Sequence, residues 1–383
     1  MTVDLASKSQ IVPSQRTPLE RLMDSPFLVG LFQPIQSGGW TPSTAPRGTS
    51  WTFPYNAALT KRAEEIGFDL SFGLAQWLGK NGYGGAMKYR EDALDPFITT
   101  AGMAALTNRI VLISTIHVLY GWHPMHVAKL GATLDHMAGG RWGLNVVTGY
   151  RSGEFEMFGK EQIPHDDRYK MADEFTEMMF DLWRADENIS RVGKYWRMQD
   201  AFVSPKPVHG KPIMVNAAAS DVGIEYAAKY CDLIFITSPS GANIDKALET
   251  LPALNEKIKS KARAHNRRVK TMINPHVISR ETDREVQSII DAILAGVDPE
   301  AVDGVMSGFT SGDQKAWREH KRDERIIGGN IQIFGTPEKV VDYCVKLKRA
   351  GCDGIQVNFF DYMPDLEFFG ARILPLLKQA GLR

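Results

Sequence analysis

The chain has 383 residues, with 45 Lys and Arg set against 45 Asp and Glu, so its formal net charge is zero and it carries no long-range field to hold a nucleic acid or an anionic membrane surface. Hydrophobic residues make up 43% and charged residues 23%, the balance of a globular chain rather than a disordered one. Three scattered cysteines (Cys231, Cys344, Cys352) make no disulfide framework, no run reaches the roughly 18 apolar residues of a membrane span, and the N-terminus lacks a secretory apolar stretch. The expectation is a cytoplasmic protein with a flexible leader over 1–26 and one domain over 27–383.

Short apolar runs alternate with Gly/Pro turns and longer stretches of helical period. Residues 28–32 read as the first strand, 51–66 as a helix, 70–74 as the second strand and 94–106 as a helix. A β-branched run follows at 110–117, a helix at 123–137 closed by Gly139-Gly140, a strand at 142–148 and a helix at 169–183. The second half continues with strands at 213–216, 233–237, 272–278 and 354–358. Helices at 221–229, 243–264, 281–294 and 337–350 separate them, and 366–379 closes the chain. Strands separated by helices require parallel crossovers, and eight such units predict an α/β fold, a (β/α)8 TIM barrel. A doubly wound sheet is the alternative, but no GxGxxG follows the first strand. Two segments exceed a minimal barrel. The Gly/Pro-rich 34–52 belongs at the C-terminal mouth, and 296–335, with its charge cluster KAWREHKRDER, reads as a lid-like insertion before the last strand.

Function in such a barrel sits at the C-terminal ends of the strands. Those ends offer Gln33 and Trp40, Gln76 and Trp77, Thr115 and His117, Asn145 and Thr148, Asn216 and Ser220, Thr237, Ser238 and Ser240, then Asn358, Phe359 and Asp361. Amides, hydroxyls and aromatics without a nucleophile–base pair suit a planar heterocycle, although the same residue types also cap helices. Asp166 reads as a helix N-cap. That puts Arg168 and Tyr169 in the first turn, where with Ser220 they would clamp a phosphate; an Arg168–Glu pair on a solvated face is the alternative. His123 and His126, near His117 and His136, have metal-site spacing but no carboxylate or thiol to complete a set, and GxSxG is absent. The stripe 171–179 reads as core or subunit interface.

The block Ala132-Thr133-Leu134-Asp135, Gly139-Gly140-Arg141 and Asn145-Val146-Val147-Thr148-Gly149 resembles the bacterial luciferase-like, flavin-dependent monooxygenases. So do Glu154-Phe155, Asp166-Asp167-Arg168-Tyr169, Ser204-Pro205-Lys206-Pro207, Ala219-Ser220 and Phe334-Gly335-Thr336-Pro337. Two branches are similar: pyrimidine (uracil) monooxygenases, which open a ring at a C–N bond, and dimethylsulfone monooxygenases, which break a C–S bond. Thr115 with Asn145 resembles the first; Ser37-Gly38-Gly39 and Gly82-Tyr83-Gly84 resemble the second. The resemblance implies a barrel that binds FMN as FMNH2, supplied by a separate NAD(P)H-dependent flavin reductase, with O2 as co-substrate. It implies Ala75, Gln76 and Asn145 at the isoalloxazine, Glu154 at a further flavin position, and Arg168, Tyr169 and Ser220 at the ribityl-phosphate end. Thr115 and Asn145 would orient O2, and Trp40 and His117 would face the substrate. The expected activity is two-component oxygenation or C–N cleavage of a small pyrimidine-like N-heterocycle. Oxygenation of an organosulfur compound is the alternative; a deazaflavin-dependent dehydrogenase, a non-catalytic flavin binder and a flavin-degrading enzyme are the rivals. A homodimer or homotetramer is expected, with 175–183 as the pairing surface.

Overall fold

Alternate residues of the first strand, β1 (Leu28–Phe32), serve two different cores, because the strand is buried on both faces. The strands β2 (Leu70–Gly73), β3 (Val111–His117), β4 (Trp142–Val147), β5 (Ile213–Ala217), β6 (Leu233–Ile236), β7 (Lys270–Ile273) and β8 (Gly354–Val357) repeat that burial almost throughout. Neighbours pair in parallel and β8 returns to β1, which closes an eight-stranded barrel. The computed structural model describes residues 16–310, 321–329 and 331–383. The observed architecture is the expected (β/α)8 TIM barrel.

Inward residues Leu28, Phe32, Leu70, Phe72, Val111, Ile113, Val215, Leu233, Phe235 and Met272 fill the barrel. Their outward neighbours, among them Val29, Leu31, Leu112, Leu144, Val146 and Met214, pack under the helices. Each such side chain, fully buried, contributes about 1.5–3 kcal/mol. Gly30 faces inward where a Cβ would lie 2.5 Å from Leu70 Cδ1, so only glycine fits that layer. Within the expected leader, Pro18–Asp24 is a helix capped by the Thr17–Glu20 box, and its buried Leu22 joins the barrel-interior cluster. Residues 1–15 lie outside the described residues.

Three expectations are corrected. The single strand at 272–278 is two: β7 ends at Ile273, and Pro275–Ser279 leaves the barrel to pair in parallel with Ile331–Gly335. Pro275 has no N–H for the ladder, and the Asn274 side-chain amide instead donates to Gln356 O. The helix expected from 169 spans His165–Arg184 with Pro164 at its N-cap, so Asp166 lies inside the first turn and is not the cap. Finally, Phe175, Met178, Met179, Leu182 and Trp183 are buried within this one chain, and Trp183 Nε1 donates to Ala128 O at 3.0 Å. That stripe is core and presents no pairing surface.

The insertion at 296–335 contains the helices Pro299–Thr310 and Glu324–Ile327 and the strand Ile331–Gly335; residues 311–320 and 330 lie outside the described residues. Asp298 ties its start to the loop after β2, accepting from Met87 N at 3.1 Å and Ala301 N at 3.2 Å. A Cβ at Gly304 would lie 1.8 Å from Tyr83 O, so the first helix seats directly on that loop. Ile189–Val192 and Arg197–Ala201 form an antiparallel pair that the sequence reading did not anticipate. Among the described residues no helix is long and apolar enough to cross a membrane.

Candidate functional site

The strand ends and their loops surround a cavity of about 270 Å³ at the C-terminal mouth. Its walls are aromatic: Phe32 and Phe72 meet edge to face at 5.0 Å, Phe72 and Phe235 at 4.9 Å, and Trp40 lies against Phe32 at 3.9 Å. Phe32 and Phe72 are register partners on the adjacent strands β1 and β2, and Phe235 on β6 meets Phe72 across the barrel interior.

Two amides present acceptors to this cavity. Thr115 Oγ1 donates to Gly73 O at 2.8 Å, so its proton is used and its oxygen accepts Asn145 Nδ2 at 3.0 Å. Asn216 Nδ2 donates to Val146 O at 2.5 Å. Both partners can only accept, which fixes the amide orientations and turns each Oδ1 away from them. Among the described residues neither buried Oδ1 has a donor. A buried carbonyl oxygen left so costs about 1–3 kcal/mol, which marks a place for a ligand N–H.

On the β4–β5 side the cavity is lined by Arg168, Tyr169 and Ser220. Arg168, 1% exposed, occupies the first turn of His165–Arg184, and Nη1 donates to Ile163 O at 2.8 Å. Ser220 caps Asp221–Tyr230 by accepting from Gly223 N at 3.1 Å, which leaves its hydroxyl proton to donate. A Cβ on Gly223 would lie 2.6 Å from the Tyr169 hydroxyl. The missing side chain therefore lets Tyr169 reach the start of that helix, beside Ser220, where helix dipoles favour negative charge.

Glu154 is buried behind the wall. Its Oε1 accepts Trp77 N at 3.2 Å and lies 3.5 Å from Arg151 Nη1, while Oε2 accepts the Tyr120 hydroxyl at 2.5 Å. This carboxylate ties together the loops after β2, β3 and β4. Burial pushes the Tyr120 hydroxyl pKa up, helped by Glu154, and pulls the Arg151 guanidinium down. His117 Nδ1 stands 3.9 Å from Glu154; burial lowers the imidazole pKa more than that carboxylate raises it, so the ring is neutral.

A model of the luciferase-like monooxygenase family matches residues 28–354. This chain belongs to that family. It is 30% identical to the FMNH(2)-dependent dimethylsulfone monooxygenase of Pseudomonas putida, over 93% of this chain and 97% of that one. It is also 30% identical to the pyrimidine monooxygenase RutA of Bradyrhizobium sp. strain BTAi1, over 93% and 98%. A riboflavin lyase crystal structure superposes with a TM-score of 0.82 at 23% identity, over 93% and 92%, and so shares the fold.

In this luciferase-like monooxygenase, Asn145, Arg168, Tyr169, Ser220, Trp40 and His117 all line the cavity. Thr115, Ala75, Gln76 and Glu154 stand outside the lining. Thr115 supports Asn145 from behind, and Gln76 Oε1 accepts from Arg90 Nη1 at 3.3 Å while its Nε2 has no partner. Gln33 also turns away, donating to Thr60 and Ser71. His123 caps its own helix by accepting from Met125 N at 3.2 Å. Sequence reasoning missed Tyr89, Arg90, Arg325 and Gln356. Arg325 had a faint signal, since it stands beside Ile326-Ile327-Gly328-Gly329 within a run otherwise suited to solvent. The three thiols are buried and shifted up by burial, Cys344 to about 12 and Cys352 to about 11, so none serves as a nucleophile.

Proposed function

We propose that this chain is an FMNH2-dependent monooxygenase that receives reduced flavin from a separate NAD(P)H-dependent reductase. With O2 it oxygenates a small pyrimidine-like N-heterocycle or cleaves a C–N bond in it. One observation carries the reading: two orientation-locked, donorless amide oxygens, Asn145 and Asn216, face a cavity that also holds a cationic cradle at Arg168. Reduced FMN offers ring N–H donors to such acceptors and a phosphate to such a cradle, so the residues fit the group. When bound, it supplies the two electrons that let one atom of O2 enter a substrate.

The protein's own work is placement. Asn145 and Asn216 would accept from the ring, with Thr115 holding the first amide at its angle. Phe32, Phe72 and Phe235 would cover the ring and keep water out. Arg168, Tyr169 and Ser220 would hold the phosphate. Glu154, through Trp77 N, Tyr120 and Arg151, keeps three loops in register around the mouth. Trp40 and neutral His117 face the remaining space. A second reading, oxygenation of a small organosulfur compound with C–S cleavage, is supported by the equal identity of the sulfone and pyrimidine relatives.

Anaerobic protein mixed with FMNH2, followed by isotopically labelled O2 and a panel of pyrimidines, pyridines and organosulfur compounds, tests this by mass spectrometry. The expected product carries one labelled oxygen. Substrate oxidation without O2 uptake would establish the dehydrogenase rival, and loss of the flavin itself would make flavin the substrate.

A further inference from the structure

The cavity of this oxygenase is lined by four arginines, Arg90, Arg151, Arg168 and Arg325, and among the described residues by no Asp or Glu. Arg151 is paired with Glu154 behind the wall, and Arg168 belongs to the β4–β5 cradle. Arg90 follows β2, beside Trp40 from the loop after β1, and β1 lies across the barrel from β5. It is therefore on the other side of the cavity from the proposed phosphate position.

Arg90 is 9% exposed, yet it makes no ion pair with a carboxylate among the described residues. Nε donates to Gly39 O at 3.2 Å and Nη1 to Gln76 Oε1 at 3.3 Å, both to neutral groups, while Nη2 has no partner among the described residues. Its guanidinium plane lies over Trp40 at 4.4 Å and Tyr89 at 4.9 Å, which fixes the fork. Its backbone has φ of 63°, a conformation that a non-glycine residue adopts at a cost. Arg141 shows what a purely structural buried arginine does in this chain. Both of its terminal nitrogens are spent, on Thr107 Oγ1, Ile110 O, Ala104 O and Thr107 O. Arg90 is held as firmly and left with an open donor.

Arg325 comes from the insertion after β7 and is 7% exposed. Burial holds its guanidinium down to about 10, with the adjacent Glu324 raising it and Arg90 lowering it further. Arg325 lines the same cavity as Arg90, and an anion held there gains from both guanidinium groups.

We infer that the substrate is an organic anion whose carboxylate or sulfonate is received by Arg90 and Arg325 at the β1–β2 side of the cavity, away from the flavin phosphate. The inference rests on the flavin-monooxygenase reading, which it narrows to charged substrates. It covers both the heterocyclic and the organosulfur version, since the group recognised is the oxyanion.

The test uses the full chain saturated with oxidised FMN, so that the Arg168 cradle is filled, and titrates two matched pairs by calorimetry and Trp40-sensitive fluorescence. The pairs are orotate against uracil, and methanesulfonate against dimethyl sulfone. The anion of at least one pair should bind at least about 10-fold more tightly than its neutral partner. Arg90→Gln and Arg325→Gln should each remove that preference with little change in FMN affinity, and Arg90→Lys should retain part of it. Equal or tighter binding of both neutral members, no binding of either anion at millimolar concentration, or an unchanged preference in Arg90→Gln overturns the inference. Failure of the wild-type chain to bind FMN would instead sink the flavin reading. The arm that responds separates a carboxylate-bearing heterocycle from a sulfonate.

Discussion

Gly223→Ala should strengthen the fold and weaken FMN binding at the same time. Gly223 is the third residue of Asp221–Tyr230, in the first turn, where alanine is favoured over glycine by at most about 1 kcal/mol. The added Cβ would lie 2.6 Å from the Tyr169 hydroxyl, 2.9 Å from its Cζ and 3.1 Å from Ser220 Oγ. An ordinary contact is about 3.5 Å, so the Tyr169 hydroxyl must withdraw by roughly 1 Å. A hydrogen bond of normal length stretched by that much is lost. A bond to a charged group is worth about 1.5–3 kcal/mol, so the affinity for FMN should fall by roughly 10- to 150-fold. Riboflavin has no phosphate and should bind unchanged. Flavin fluorescence titration of both ligands, with urea unfolding as the control, measures the three quantities. Equal loss for FMN and riboflavin, or no loss for either, would refute the assignment of Tyr169 and Ser220 to the tail.

Arg168→Ala should act in the same direction, weakening FMN more than riboflavin in the same titration. Asn145→Ala should keep the fold but abolish oxygenation, read with an oxygen electrode and product analysis; wild-type turnover would remove Asn145 from the site. Thr115→Val deletes the hydroxyl that orients Asn145, so turnover should fall while FMN affinity changes less than about 10-fold, and Thr115→Ser should restore it. His276 is buried, and burial lowers its pKa to about 3, against about 6.5 unfolded. The unfolded chain then binds the extra proton below pH 6.5, so stability is lost as pH falls through that window. From pH 7 to pH 5 the loss from this one group is about 2 kcal/mol, and in His276→Gln urea unfolding at the two pH values should differ by that much less.

The strands and their ends were legible because a barrel imposes a strong constraint. A strand buried on both faces must be an apolar run, and the crossover between parallel strands must be long. Asn145, Ser220 and Arg168 stood out because strand ends and first helical turns are positions that can be counted. What failed was local. Pro275 ended a ladder inside an apolar run that looked continuous, and the run then served a second sheet. The stripe at 175–183 has the period of an interface helix, but the same period describes a helix covered by Ala128 and its neighbours. Asn145 was legible as a polar strand-end residue, but which end of its amide faces the cavity depends on the Thr115 and Gly73 partners, which no spacing reveals.

Charge was misleading in a more instructive way. A chain with 45 cations and 45 anions has no net field to hold a polyanion. It says nothing about where the charges lie. The acids are spent mainly on the surface and in ties such as Glu154 to Arg151 and Asp232 to Arg267. The cavity keeps guanidinium groups and no carboxylate among the described residues. In a cleft with low-dielectric walls, two or three such groups outweigh dozens of screened surface pairs, because attraction grows as the effective dielectric falls and salt cannot enter freely. The balanced composition thus coexists with a site of one sign, and that sign is what links the proposed phosphate cradle on the β4–β5 side to the guanidinium of Arg90 across the barrel.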